Sequence, residues 1–211
     1  MHWWGSNMAL KLANNQSLTA ITALPASVSG GAMTLLETQT ASSSATISFT
    51  SNIDSTYDEY VFKFTDIHPQ NGGDSEGFLL FQGSTNSGSS YGVTITSSHF
   101  YVQHDEADSG TSLQYQGGND LAQSTSFQRI SEECGNDNDQ CISGYLHLYN
   151  PSSTTFVKHF ISNSNTYHRA DWSFNNFCAG YFNNTSAIDA IQFKMSSGNM
   201  DAGVIKLYGI S

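Results

Sequence analysis

Two pairs of adjacent carboxylates are the residues of this chain that best fit acid–base chemistry. They are Asp105 with Glu106, in the stretch DEAD, and Glu132 with Glu133. Hydrolysis of a glycosidic bond needs two carboxylates that face one another across the sugar at about 5 to 10 Å. Neighbouring side chains on a strand point to opposite faces, and both pairs fall in predicted loops. Neither pair therefore predicts a hydrolase site.

Metal ligands are the second chemistry to consider, because the chain has 7 histidines and an acidic loop. The histidines lack the HxH or HxxxH spacing that places two ligands on one element. The loop GNDNDQ at 135–140 carries Asp137 and Asp139, whose oxygens suit Ca²⁺, but it lacks the glycine and final glutamate of an EF-hand. A solvated turn is favoured over a calcium site there. The sequence also lacks a GxSxG nucleophile motif, so no catalytic, cofactor-binding or metal-binding residue is predicted and the chain is not expected to be an enzyme.

The 3 cysteines are Cys134, Cys141 and Cys178. The first two flank the acidic loop, where a disulfide would close a small ring. An odd number of cysteines fits reduced thiols in a cytosol equally well. Both states stay open, and the fold is not expected to depend on a bridge.

Aromatic side chains among amides are the strongest sign of a binding surface. The chain has 10 Tyr, 13 Phe and 3 Trp, and most Phe are expected in the core. Six aromatic residues lie near predicted strand ends or loops rich in Asn, Gln and Asp: Tyr101, Tyr115, Tyr145, Tyr149, Tyr167 and Trp172. Amphipathic rings of this kind suit a sugar-binding or protein-binding surface, and they suit the shared interface of an oligomer equally.

The charge balance excludes several classes of partner. The chain of 211 residues has 7 Lys+Arg against 18 Asp+Glu, a formal net charge of −11. Phosphate backbones and anionic bilayers repel such a surface, so no nucleic-acid partner is predicted. The start MHWWGSNMALKLANNQ has neither a basic n-region nor a continuous apolar h-region, and no stretch approaches ~18 apolar residues. These features predict a protein made in a cytoplasm, with no membrane insertion.

Apolar and polar residues alternate from Met33 onward, which is the period of β-strands. TISFTS places Ile47 and Phe49 on one face. In EYVFKFTDI at 59–67, positions 60, 62 and 64 share one face, and the odd positions through Ile67 share the other. Further strands are predicted at 77–83, 91–98, 99–104, 143–150, 154–162 and 172–182. Turn sequences such as SSGN at 196–199 separate them.

This pattern predicts an all-β protein, a jelly-roll β-sandwich with an extended N-terminal arm. Residues 1–33 are poor in large apolar side chains and are predicted to be a docking arm, and residues 34–211 form the sandwich. The one helix candidate lies at 121–133. The last two strands are predicted to be inner ones whose core residues are Ile191, Phe193, Ile205 and Leu207.

Three blocks of sequence resemble a family of structural proteins encoded by tailed phages of marine bacteria. The blocks are TLLETQTASSSATISFTSNIDSTYDEYVFKFTDIHP (34–69), YNPSSTTFVKHFIS (149–162) and IDAIQFKMSSGNMDAGVIKLYGI (188–210). They occur in order and extend over the chain from about residue 34. NNQSLTAITALPASVSGG also resembles the short leaders that precede this module in fibre-like phage proteins.

The resemblance implies a virion protein with a jelly-roll domain, commonly a homotrimer, that is fixed to other virion proteins through residues 1–33. It carries no binding residues over to this chain. A tail-fibre or appendage protein for host adsorption is the first interpretation, with loops around 103–120 and 163–176 presented to a host surface glycan. The alternatives are a capsid decoration protein that stabilises the head and, disfavoured by the missing signal and carboxylate pair, a lectin or glycan hydrolase.

Overall fold

Twelve β-strands and no helix make up residues 32–210, the part of the chain that the computed structural model describes. The strands are β1 Met33–Thr40, β2 Ile47–Phe49, β3 Glu59–Pro69, β4 Leu79–Ser84, β5 Ile95–Asp105, β6 Thr111–Tyr115, β7 Gln128–Arg129, β8 Ile142–Tyr149, β9 Lys158–His168, β10 Trp172–Phe182, β11 Ala190–Met195 and β12 Met200–Ile210. The all-β prediction is confirmed.

The strands form two antiparallel sheets of unequal width that pack as a β-sandwich. The larger sheet has eight strands in the order β1-β12-β3-β8-β9-β10-β5-β6, and the smaller has four in the order β2-β11-β4-β7. Jelly-roll connectivity is not established by these orders and stays a prediction. Most of the predicted arm, at 1–33, lies outside the described residues, and β1 begins at Met33.

A cluster of aromatic rings fills the space between the sheets. Phe193 of β11 lies at its centre, with ring centroids 5.4 Å from Phe62 and 6.3 Å from both Phe49 and Phe81. Edge-to-face and tilted contacts of this kind stabilise a core beyond the area that they bury. Ile47 and Phe49 are both buried, as the alternation in TISFTS predicts.

The final strand lies inside the larger sheet, because β12 pairs with β1 on one side and with β3 on the other. The turn before it needs Gly198, whose φ of +65° is a conformation that most residues avoid. The predicted core residues of the last two strands, Ile191, Phe193, Ile205 and Leu207, are all fully buried. The placement of these strands as inner ones is confirmed.

The predicted helix at 121–133 is wrong. This segment instead follows β5, since the amide of Ile95 donates to the carbonyl of Ser124 and the amide of Ser124 donates back to Ile95. The hydroxyl of Ser97 accepts from the amide of Leu121. Serine and threonine side chains hydrogen-bond to backbone groups outside helices, which favours this extended arrangement over a helix.

The face predicted for Ile67 is also wrong. The register between β3 and β8 shifts between Phe64 and Ile67, and Asp66 takes a φ of +52°. This bulge inserts one residue and turns Ile67 into the core, where it is fully buried. Two further boundaries differ, because the strands predicted at 91–98 and 99–104 are one strand, β5, and β9 begins at Lys158 rather than at residue 154.

Phe193→Ala is expected to lower the free energy of unfolding by about 3 to 5 kcal/mol, because it leaves a cavity at the centre of the aromatic cluster. Urea denaturation of the two proteins measures this difference. Phe156→Ala is the matched control, since the Phe156 side chain is 69% exposed. The control should change stability by less than about 0.5 kcal/mol, and equal losses in the two variants would contradict the central role of Phe193.

Candidate functional site

On the side of the larger sheet that points away from the smaller sheet, the five neighbouring strands β8, β9, β10, β5 and β6 form a broad surface, here called the outer face. It consists of every second residue from Thr96 to His104 of β5, Thr111 to Tyr115 of β6, Ser143 to Tyr149 of β8, His159 to Tyr167 of β9, and Ser173 to Tyr181 of β10. None of these positions carries Asp, Glu, Lys or Arg. In a chain with 18 acidic residues, an uncharged face across five strands is a distinct feature.

Large exposed apolar side chains on the outer face are concentrated on β5 and β6, toward one edge of the sheet. The exposed fractions of Phe100, Val102, Leu113, Tyr115 and Ile161 range from 42% to 69%. The ring of Phe100 stacks on that of Phe177 with centroids 4.9 Å apart and planes 10° from parallel. Exposed patches of this composition mark interaction sites.

Most phenylalanines were expected in the core, so the sequence did not predict the surface that Phe100 and Phe177 form. The signal was present in HFYVQH at 99–104, where apolar residues occur in both phases of the alternation. Tyr101 lies on the inner side of β5, whereas Phe100 and Val102 lie on its outer side. Such a strand has large side chains on both faces, and only the inner face packs against the rest of the sandwich.

A small cleft lies at one end of the outer face, between the β5–β6 turn and the β9–β10 turn. Its volume is about 260 Å³, and we call it the Trp172 cleft. It is lined by His104, Asp105, Glu106, Asn165, Thr166, Tyr167, Trp172 and Ser173. The predicted loops at 103–120 and 163–176 are largely strands, and the ends of β5, β9 and β10 with their short connecting turns meet here.

The β5–β6 turn is held in place by Asp105. Its carboxylate accepts hydrogen bonds from the amides of Ser109 and Gly110, both at 2.8 Å, and from the Ser109 hydroxyl. These bonds, that of the Ser109 hydroxyl first, lower the pKa of Asp105. Gly110 lies against the indole, since a Cβ there would be 2.6 Å from Cη2 of Trp172. The turn thus fixes the position of the Trp172 ring.

The other wall of the cleft presents hydroxyl and amide groups. The Tyr167 hydroxyl donates to Asp171 at 3.3 Å, and burial together with the carboxylate of Glu106 raises the pKa of Tyr167 to about 12. The phenol therefore stays protonated and serves as a donor at neutral pH. The Asn165 amide donates to the Ser173 hydroxyl at 2.9 Å.

The six aromatic residues predicted to form a recognition or interface surface divide into three groups. Tyr115, Tyr145 and Tyr149 lie on the outer face, and Tyr167 and Trp172 line the Trp172 cleft. Tyr101 is the exception: it lies on the inner side of β5, is 7% exposed, and donates to Gln114 at 3.0 Å. Its strand position, one residue out of phase with Phe100, places it against the interior rather than at the surface.

The segment between β6 and β8, which includes the two-residue strand β7, covers the inner side of β5 and β10 with a polar network. Asn119 lies at its centre: its amide nitrogen contacts Nδ1 of His99 at 2.9 Å and Oε1 of Glu132 at 3.1 Å. Its carbonyl oxygen accepts from Arg129 at 3.2 Å, and Arg129 also pairs with Glu132. Because an amide nitrogen only donates, Nδ1 of His99 is the acceptor. The proton of the neutral imidazole is then on Nε2, which is buried and has no hydrogen-bond partner among the described residues.

The candidate catalytic groups are engaged in separate contacts. Glu132 pairs with Arg129, whereas Glu133 accepts from the amide of Ser75 at 2.9 Å and contacts His168 at 3.3 Å. Burial raises the pKa of Glu132. These partners give the two adjacent carboxylates different surroundings rather than one shared site.

The cysteines and the acidic loop show no further chemistry. All three cysteines are free thiols in the structure, and burial raises the pKa of both Cys134 and Cys178. Asp137 and Asp139 lie in an exposed turn where the amide of Gln140 donates to the carbonyl of Asp137 at 2.9 Å. Across residues 32–210, no three His, Cys, Asp or Glu side chains are grouped to hold a metal ion, so calcium gains no support here.

Comparison with known proteins gives no relative: no family model, no curated protein and no solved structure matches the chain. The described residues also contain no helix with the length and apolar character required to cross a bilayer. The site is therefore interpreted from its own geometry.

Acidification from pH 7 to pH 4 is expected to cost on the order of 2 to 3 kcal/mol of stability through His99. Burial, followed by the charge of Arg129, lowers the pKa of His99 from its usual 6.5 to about 4. Between these values the unfolded chain binds the proton and the folded protein does not, so stability falls as the pH falls. Urea denaturation at a series of pH values measures the slope.

His99→Gln removes this titration and should flatten the pH dependence between pH 6.5 and pH 4, whatever its effect on stability at pH 7. An unaltered slope in the His99 variant would show that other groups account for the acid sensitivity.

Proposed function

We propose that this chain is a non-enzymatic structural protein of a tailed-phage virion, displayed on a tail fibre or appendage for host attachment. Residues 1–33 dock on other virion proteins, identical copies form a homotrimer, and a host surface glycan is the ligand. The resemblance of three ordered sequence blocks supports the virion assignment. The observation that carries the recognition role is the Trp172 cleft.

The composition of the cleft suits a sugar. Sugars present apolar C–H faces, which lie on aromatic rings, together with hydroxyl groups that need donors and acceptors. Trp172 and Tyr167 supply the rings, while Asn165, Ser173 and Glu106 supply polar groups. The volume of about 260 Å³ lies below the roughly 300 to 1,000 Å³ of drug-sized ligand sites, so the cleft matches one small unit of a glycan.

The charge around the cleft selects among glycans. Asp105 and Glu106 line it, and neither Lys nor Arg is among its lining residues. Sulfated or uronic-acid units would meet these carboxylates and the net charge of −11, which repel anions. Neutral sugar units are therefore the proposed ligands.

Capsid decoration is the second candidate function. Residues 32–210 hold one sandwich with no helix and hence no coiled-coil shaft, which also fits a small protein bound to a shell. In that case the protein would stabilise the head against internal pressure, and the Trp172 cleft would have no glycan ligand.

Antibody-gold labelling of intact particles of the source virus, viewed by electron microscopy, tests the proposal. Gold at the tail is the expected result and supports an adsorption role. Gold over the head would identify a decoration protein instead. Particles without gold would contradict the virion assignment and return attention to a lectin or glycan hydrolase.

Trp172→Ala is expected to weaken binding to a neutral polysaccharide about tenfold or more, because it removes the largest aromatic surface of the cleft. Calorimetric titration against a panel of neutral and sulfated polysaccharides measures the change. Phe156→Ala is the matched control, since Phe156 is an exposed aromatic residue outside both the Trp172 cleft and the outer face. Equal binding by both variants, or preference for the sulfated members of the panel, would contradict the assignment of the cleft.

A further inference from the structure

We propose that the outer face is the surface at which identical copies of this chain meet. This inference specifies the contact within the homo-oligomer of the proposed function and rests on that part of it alone. It does not depend on the ligand of the Trp172 cleft or on the location of the protein in a virion. Three properties of the outer face carry it: charge, area and relief.

The charge distribution favours self-association at this face. Two copies that each carry a net charge of −11 repel one another wherever acidic surfaces approach. The outer face has no Asp, Glu, Lys or Arg, and its side chains that titrate near neutral pH are the histidines His104, His147 and His159, so contact there opposes no like formal charges. Charged residues begin at its border, where β3 carries Glu59 and Lys63. An uncharged centre with a charged rim is the usual anatomy of a protein interface.

The area matches what a stable interface needs. Five strands spaced by about 4.8 Å, the longest with eleven residues at about 3.4 Å each, span roughly 24 Å by 37 Å. Two of the five strands are shorter, which leaves a footprint on the order of 700 Å². A specific interface of standard size buries about 800 Å² on each partner. The outer face is therefore large enough to hold two copies together.

The face has both a raised part and a recessed part. A ridge of three rings, formed by Tyr115, Phe100 and Phe177, crosses β6, β5 and β10 in register. Beside it lies a hollow of about 540 Å³ whose floor is made by small residues, Ser98 and Ala179 among them. In the proposed contact, the ridge of one copy lies in the hollow of the next.

Ridge and hollow occupy different parts of the face, so every copy can offer both. Reciprocal insertion joins two copies about a twofold axis, whereas head-to-tail insertion joins each copy to two neighbours, divides the face between them and gives a ring when the rotation closes. A ring of three copies agrees with the homotrimer in the proposed function. In either arrangement the apolar rings leave the solvent, which stabilises the assembly because exposed aromatic area is removed from water.

The mass of the full chain in solution tests the inference. Light scattering coupled to size-exclusion chromatography should give a multiple of 22.9 kDa at micromolar concentrations. Phe100→Glu places a charge on the ridge and is expected to raise the dissociation constant at least about tenfold. Ala179→Trp fills the hollow without adding charge, and it should weaken association to a similar degree.

Phe156→Glu is the control, because Phe156 is an exposed phenylalanine outside the outer face. This variant should keep the wild-type mass. A monomeric wild-type protein would overturn the inference and leave the face to a different apolar partner. An oligomer unaffected by both Phe100→Glu and Ala179→Trp, with melting temperatures showing that the variants fold, would also overturn it by placing the contact elsewhere. Neither result bears on gold labelling, and glycan binding is measured separately because the Trp172 cleft shares Asn165, Tyr167 and Ser173 with one end of the outer face.

Discussion

The unequal width of the two sheets is the constraint on which the rest of this structure depends. Strands lie about 4.8 Å apart, so eight strands span roughly 38 Å whereas four span roughly 19 Å. The smaller sheet covers only part of one side of the larger sheet. The remaining inner surface and the entire outer face must be covered by something else or meet solvent. The segment between β6 and β8 covers the remaining inner surface. The outer face stays uncovered within one copy of the chain.

The cover supplied by that loop is polar because a loop brings backbone groups that need partners. Asn119, Arg129, Glu132 and Gln128 satisfy one another and the loop backbone, and His99 joins them from the sheet. A buried polar network is costly when any member is charged without a partner. The neutral state of His99 is therefore part of how the loop is held down, which links the architecture to acid sensitivity.

Much of the fold was predictable because alternation and turns are local signals. Ile47, Phe49 and the last two strands follow the period of two, and their core positions are confirmed. The bulge at Asp66 was not predictable, since one inserted residue leaves the composition of β3 unchanged while it reverses the face of Ile67. The segment 121–133 depends on tertiary partners in β5, which no local pattern reveals.

The candidate site was predicted in part for the same reason. Trp172 and Tyr167 lie near strand ends, where sequence reasoning places recognition residues, and both line the cleft. Phe100 escaped prediction because a phenylalanine in an alternating strand reads as core until the width of the opposing sheet is known. Tyr101 was expected at the surface and lies inside, because a strand with large side chains on both faces does not reveal from its sequence which face is buried.

The interior position of β12 has a consequence for the order of events in folding. Its partners β1 and β3 lie near the start of the sandwich, so the pairs Met33 with Ile210 and Tyr60 with Gly209 join residues that are far apart in the chain. Contacts over such separations form slowly, because a long loop must close before they stabilise anything. Until β12 has been synthesised and inserted, β1 lacks its neighbour in the sheet and β3 presents an open edge. The nascent protein thus passes through a period in which unpaired strands need protection from one another.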